Sequence, residues 1–160
     1  MKRAKLRCAL AAGLFITHVH PAMAQGINAP AATVLSPSHL ASIDDSLPHA
    51  ALTSVALGGG SGYTYSLTRR ETTGGIEVHM AWNDVFVVQS GSGTLMTGGV
   101  LAGAKEGSPG ELRDGVLTGG ALAMLKPGDV VIIPAGTPHQ MQLAAGERIT
   151  YLTIKVAVVP

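Results

Sequence analysis

The segment Gly128-Asp129-Val130-Val131-Ile132-Ile133-Pro134-Ala135-Gly136-Thr137-Pro138-His139 leaves few choices for the fold around it. Pro127-Gly128-Asp129 is turn chemistry: proline presets φ, glycine permits positive φ, and aspartate bonds its own backbone. Val130 to Ile133 is a β-branched run of strand length that calls for burial. Pro134 stops it, and Gly136 with Pro138 re-aims the chain so that His139 opens the next strand. An imidazole held between two rigid turns suits a ligand or an acid–base group, provided a second polar cluster meets it.

The same rhythm recurs along most of the chain. Tyr63 to Arg70 alternates, with Tyr63, Tyr65 and Leu67 on one side. Ile76 to Ala81, Val85 to Gln89, Thr94 to Thr97, Ala121 to Leu125, His139 to Leu143 and Ile149 to Val158 read as further strands. Gly58-Gly59-Gly60-Ser61-Gly62 reads as a flexible turn and Gly91-Ser92-Gly93 as a tight one. Short strands at regular spacing with Gly/Pro turns predict an all-β sandwich or barrel. With 13% charged residues, the strands are expected to be covered on both sides. Ser36 and Pro37 start a short helix through Asp45, with Leu40, Ile43 and Leu47 at helical spacing on one face. Gly98 to Gly120, carrying Lys105, Glu106, Glu111, Arg113 and Asp114, is a long Gly-rich connection that either covers a barrel mouth or projects into solvent.

The first 24 residues follow a different logic. Lys2, Arg3, Lys5 and Arg7 precede a mostly apolar stretch from Cys8 to Val19, and Ala22-Met23-Ala24 supplies small residues before Gln25. This is the pattern of a secretory signal peptide cleaved after Ala24, which places the mature chain in the periplasm or outside the cell. Four of the 11 basic residues leave with it, so 7 basic residues face 10 acidic ones. No Lys/Arg cluster remains and aromatics are few, which argues against a nucleic-acid surface. The single Cys leaves too, so stability rests on the core, a metal or association rather than on a disulfide. The expected organisation is a signal peptide at 1–24, a tether and short helix at 25–53, and a β domain at 54–160, with no membrane span after cleavage.

The second polar cluster runs from Gly75 to Gly91. Glu77 and His79 are two apart on a strand, so their side chains leave the same face, and Asp84 opens the next strand beside them. Two carboxylates and an imidazole on one concave sheet face are costly to bury unpaired, and a divalent metal or a hydrogen-bonded substrate resolves that cost. Trp82 reads as packing at the turn or rimming the mouth; Tyr63, Tyr65 and Met141 read as lining or core. His39 and His49 read as solvated.

Together the two segments resemble the paired motifs of the cupin superfamily over residues 54–156. Gly128, five residues, Pro134, one, Gly136, two and His139 match the second motif at every spacing. Glu77-x-His79, four residues, Asp84, six residues and Gly91 fit the first motif with Glu77 standing for a histidine and Asp84 for a glutamate. An alternative register makes His79 the first histidine and leaves Ala81 in place of the second. The resemblance implies a closed jelly-roll barrel (a double-stranded β-helix), with a short N-terminal helix added. It implies one divalent metal held by Glu77, His79, Asp84 and His139, with Asp84 either on the ion or orienting His79. Two imidazoles with one or two carboxylates suit Fe, Mn, Zn or Ni. The resemblance further implies action on a small molecule, as a dioxygenase, isomerase or related enzyme, and a homodimer. A non-catalytic barrel that binds a small molecule is the alternative. A second acid–base group beside the ligands would favour the enzyme, and a wholly apolar pocket the binding module.

Overall fold

The computed structural model describes residues 31–158; the leader expected at 1–24 lies outside the described residues. The first element is α1 (Pro37–Ser46), started as the sequence implied: Ser36 Oγ accepts from the His39 amide at 3.2 Å and Pro37 occupies the first turn. Its docking is more polar than the helical spacing suggested. Leu40 is buried, but so is Asp44, while Ile43 and Leu47 are only half-buried. Asp44 Oδ1 accepts from Thr150 at 3.0 Å and its Oδ2 from Ser90 at 3.2 Å. Buried Arg69 donates to the Asp44 carbonyl at 2.8 Å and to the carbonyls of Leu47 and Pro48 at 2.6 and 2.8 Å. The helix end is thereby tied to the sheet through a side chain that satisfies its free carbonyls.

Thirteen strands follow among the described residues. They are β1 (Leu52–Gly60), β2 (Tyr63–Arg70), β3 (Glu77–His79), β4 (Trp82–Gly91), β5 (Gly93–Thr97), β6 (Val100–Ala102), β7 (Lys105–Ser108), β8 (Glu111–Arg113), β9 (Val116–Thr118), β10 (Ala121–Leu125), β11 (Val130–Ile133), β12 (His139–Gln142) and β13 (Ile149–Ala157). One sheet runs β1-β2-β13-β4-β11 and a second β10-β5-β12-β3-β8-β7, with β6 and β9 forming a separate ribbon. Phe86, Val88, Ile133, Ile149 and Tyr151 from the first sheet interleave with Leu95, Leu125 and Met141 from the second. This is the cupin-like double-stranded β-helix topology, but neither sheet closes on itself. The expected closed barrel is instead a sandwich with open edges at β1, β11, β10 and β7.

Local geometry explains three departures from the sequence reading. The glycines 58–60 continue β1, and only Ser61-Gly62 makes the turn. Gly58 pairs with Tyr65 and Gly60 with Tyr63, and the two rings stack at 6.3 Å over the places where Cβ atoms would stand. Large rings lying over small residues are a strand-compatible use of glycine. Secondly, β11 is not buried on both sides: Val131 and Ile133 turn inward, but Val130 and Ile132 are 61% and 70% exposed, because β11 is an edge strand with a bare outer face. Thirdly, the Gly98–Gly120 connection holds four short strands, and one of them reaches the interior: β8 pairs with β3, setting Glu77 opposite Arg113 and His79 opposite Glu111. Among the described residues no helix is long and apolar enough to cross a membrane.

Candidate metal centre

Turn chemistry places His139 as the sequence implied. Gly128 and Gly136 have φ of 91° and 76°, and Asp129 Oδ2 accepts from the Lys126 amide at 2.9 Å. The second turn is also pinned to the other motif, since the Gly136 amide donates to the His79 carbonyl at 2.9 Å. His139 then pairs with Glu77 across the sheet. Strand β4 approaches from the facing sheet and delivers Asp84, which is 3% exposed. The four motif residues therefore converge from β3, β4 and β12.

Ring orientation tells most about the chemistry. His139 Nδ1 lies 3.1 Å from the Thr137 carbonyl, which can only accept, so Nδ1 carries the hydrogen in the neutral ring and Nε2 a free lone pair. His139 Nε2 is buried and has no hydrogen-bond partner. His79 Nδ1 is hydrogen-bonded to Glu111, which likewise frees its Nε2. Glu77 Oε2 lies 3.6 Å from His79 Nε2 and 3.9 Å from His139 Nε2. Asp84 Oδ2 lies 3.4 and 3.9 Å from the same two nitrogens. Two lone pairs facing shared carboxylate oxygens, each ring fixed from behind by an acceptor, are the arrangement of imidazoles that ligate metal. Glu77, His79 and His139 offer ligand atoms all within 4.8 Å of one another. Asp84 stands outside that group, and its Oδ1 accepts from Lys155 Nζ at 2.8 Å. The register that sets Glu77 beside His79 is the one whose side chains meet; Ala81 is exposed in the turn.

The surroundings are charged on both sides of the balance. Arg70 donates to Glu77 at 3.2 Å and to the Tyr151 hydroxyl at 3.0 Å. Arg113 lies 3.4 Å from Glu77 and donates to Glu111 at 3.0 Å. Burial alone would raise the Glu77 carboxyl, but His79, Arg70, Arg113 and His139 outweigh it and hold it down at about 2. Burial lowers His139 below the usual imidazole value despite the Thr137 carbonyl, Glu77 and Asp84, which favours the neutral ring. Burial and Lys155 also press His79 downward, but the nearby carboxylates of Glu77 and Asp84 and the hydrogen bond to Glu111 carry it the other way. Both the unpartnered His139 Nε2 and the donor set of two imidazoles and a carboxylate fit a divalent cation.

Beside the cluster opens a cavity of about 170 Å³, bounded by Arg70, Glu77, Asp84, His139, Tyr151 and Lys155 and by hydroxyl residues of β1, β2 and β13. Met141 is core, as expected, but Tyr63 is neither lining nor core: it is an exposed ring at the start of β2. His49 is exposed and paired with Glu71 at 2.8 Å, and His39 is exposed on α1. Sequence reasoning did not single out Glu111, Arg113, Arg70 or Lys155 for the site. Glu111 and Arg113 sit in the Gly-rich connection, where the spacing carried no strand signal. Lys155 alternates with Thr153 on the inward side of β13, a period-two signal that could have been read.

No family model and no curated protein matches the sequence. Solved structures do resemble the fold. Protein BH2720 of Bacillus halodurans superposes with a TM-score of 0.56 at 17% identity, covering 83% of this chain and 86% of that one. A cupin 2 conserved barrel domain protein of Rhodopseudomonas palustris gives 0.48 at 16% identity over 68% of this chain and 63% of that one. The DMSP lyase DddQ of Ruegeria pomeroyi gives 0.48 at 13% identity over 66% of this chain, which spans only 46% of that protein. At these identities the likeness concerns the fold alone.

Proposed function

We propose that this protein is an exported, metal-dependent enzyme of cupin-like fold that acts on a small oxygenated molecule. The observation that carries the reading is the pair of imidazoles, each anchored through Nδ1, with both Nε2 lone pairs aimed at the Glu77 carboxylate. Glu77, His79 and His139 hold the ion in this reading, and Asp84 adds a second carboxylate facing the same two Nε2 atoms while Lys155 fixes its other oxygen. A bound divalent ion supplies Lewis acidity toward an oxygen of the substrate, and three protein donors leave positions open for it. A dioxygenase or an isomerase both fit such a centre, and Fe, Mn, Zn and Ni all suit its donors. Export rests on the leader-like pattern of residues 1–24.

Polar groups beside the ligands favour an enzyme over a passive binding module. The cavity that Glu77 and His139 line also carries an ammonium at Lys155 and a phenol at Tyr151, both from the facing sheet. A wholly apolar lining would have favoured the binding module. Cobalt(II) titration of chelator-treated protein tests the reading. The expected result is a saturable visible absorption band at one equivalent, lost in His139→Ala. A band that survives that change, or no band at all, contradicts it.

A further inference from the structure

The inner face of the β1-β2-β13 sheet is polar where a sandwich interior is ordinarily apolar. The apolar core gathers on Phe86, Val88, Leu95, Met141 and Tyr151; Phe86, Met141 and Tyr151 reach one side of the cavity, and Ser54, Ser66, Thr68 and Thr153 present hydroxyls to it. Ser54 and Thr68 hydroxyls are 3.0 Å apart, and Thr153 donates to Thr68 Oγ1 at 3.3 Å, so one ladder crosses β1, β2 and β13. Each hydroxyl has one donor and two acceptor lone pairs, so these bonds leave hydrogen-bonding capacity turned toward the cavity. Lys155 follows Thr153 on the same strand face. It is 29% exposed and spends one bond on Asp84. An ammonium has three donors.

We infer that this polar half of the cavity binds the substrate, and that the substrate class is a small hydroxy-carboxylate, its carboxylate on Lys155 and its hydroxyls on the Ser54–Thr68–Thr153 ladder. The inference rests on the metal reading above, because the charge count depends on it. Glu77, Asp84 and Glu111 are balanced by Arg70, Arg113 and Lys155 through the ion pairs of the site. With neutral imidazoles, a bound divalent ion leaves an excess of positive charge, which an anionic ligand offsets and a neutral polyol does not. A site built to hydrogen-bond hydroxyls also disfavours the analogue that lacks them, because buried Thr68 and half-buried Thr153 then lose a partner, Ser54 being exposed. Carboxylate and hydroxyls are therefore both required.

The test is calorimetric titration of the full protein with glycerate, propionate and glycerol, with metal content measured on the same samples. Glycerate is expected to bind at least about tenfold tighter than either analogue, since each lacks one half of the recognition. Lys155→Met should weaken glycerate about tenfold or more while leaving the weak glycerol binding unchanged. Thr153→Val, which keeps a β-branched shape, should narrow the gap between glycerate and propionate and guards against misfolding of the lysine variant. Equal affinity for glycerate and glycerol, or glycerate binding unaffected by both substitutions, overturns the inference. Metal-loaded protein that ignores glycerate sinks this inference alone. Protein that takes up no divalent ion when one is supplied, yet binds glycerate through Lys155, sinks the metal reading and keeps the carboxylate anchor.

Discussion

At the scale of single residues, the site depends on how its histidines are held from behind. Glu111 touches His79 Nδ1 and is itself fixed by Arg113, so it sets the ring angle without facing the shared centre. Glu111→Ala should weaken divalent-metal affinity about 10–100-fold, the usual effect of removing such a partner, with the melting temperature little changed. Glu111→Gln keeps an acceptor oxygen and should recover most of the loss in a competition titration. Equal affinity in wild type and Glu111→Ala would show that the ring is held by packing alone. That His79, His139, Glu77 and Asp84 come together was legible, because their positions are fixed by spacing between turns. Glu111 was not, since its role arises from a strand pairing between β8 and β3 that no local pattern announces.

Secondary-structure elements owe their ends to a few glycines and one buried acid. Gly91 closes the first motif at φ 72°, and a Cβ there would collide with the Arg148 carbonyl. Gly128 has a similar positive φ but open space around it. Gly128→Ala should cost about 1–2 kcal/mol for the left-handed backbone, and Gly91→Ala about 3–4 kcal/mol because overpacking adds to it. Urea denaturation of the two variants checks the order, and equal costs would show that β4 and β13 can part without penalty. Asp44→Ala should destabilise by about 3 kcal/mol, by leaving Arg69 buried with one acidic partner fewer and two hydroxyl donors unmet. Strand existence was readable from β-branched runs and Gly/Pro punctuation. The extension of β1 through its glycines was not, because it depends on the tyrosines of the neighbouring strand rather than on the glycines themselves.

For the whole molecule, the decisive property is that the interior is divided. One half is an apolar core joining two sheets; the other is a charged and hydroxylated cavity with the His79–His139–Glu77 cluster at the boundary. The two motifs made the double-sheeted architecture legible, since they demanded strands at fixed separations that bring His139 opposite Glu77. Closure of the barrel was not legible: it depends on whether edge strands pair, and here Val130, Ile132 and Met124 sit on open edges with 61%, 70% and 81% exposure. Elemental analysis of protein purified without chelator tests the central claim most directly. Wild type should carry about one divalent metal ion per chain, and His79→Ala and His139→Ala, each still folded by circular dichroism, should carry almost none. A metal-free wild type, or metal content that survives both substitutions, would contradict the account.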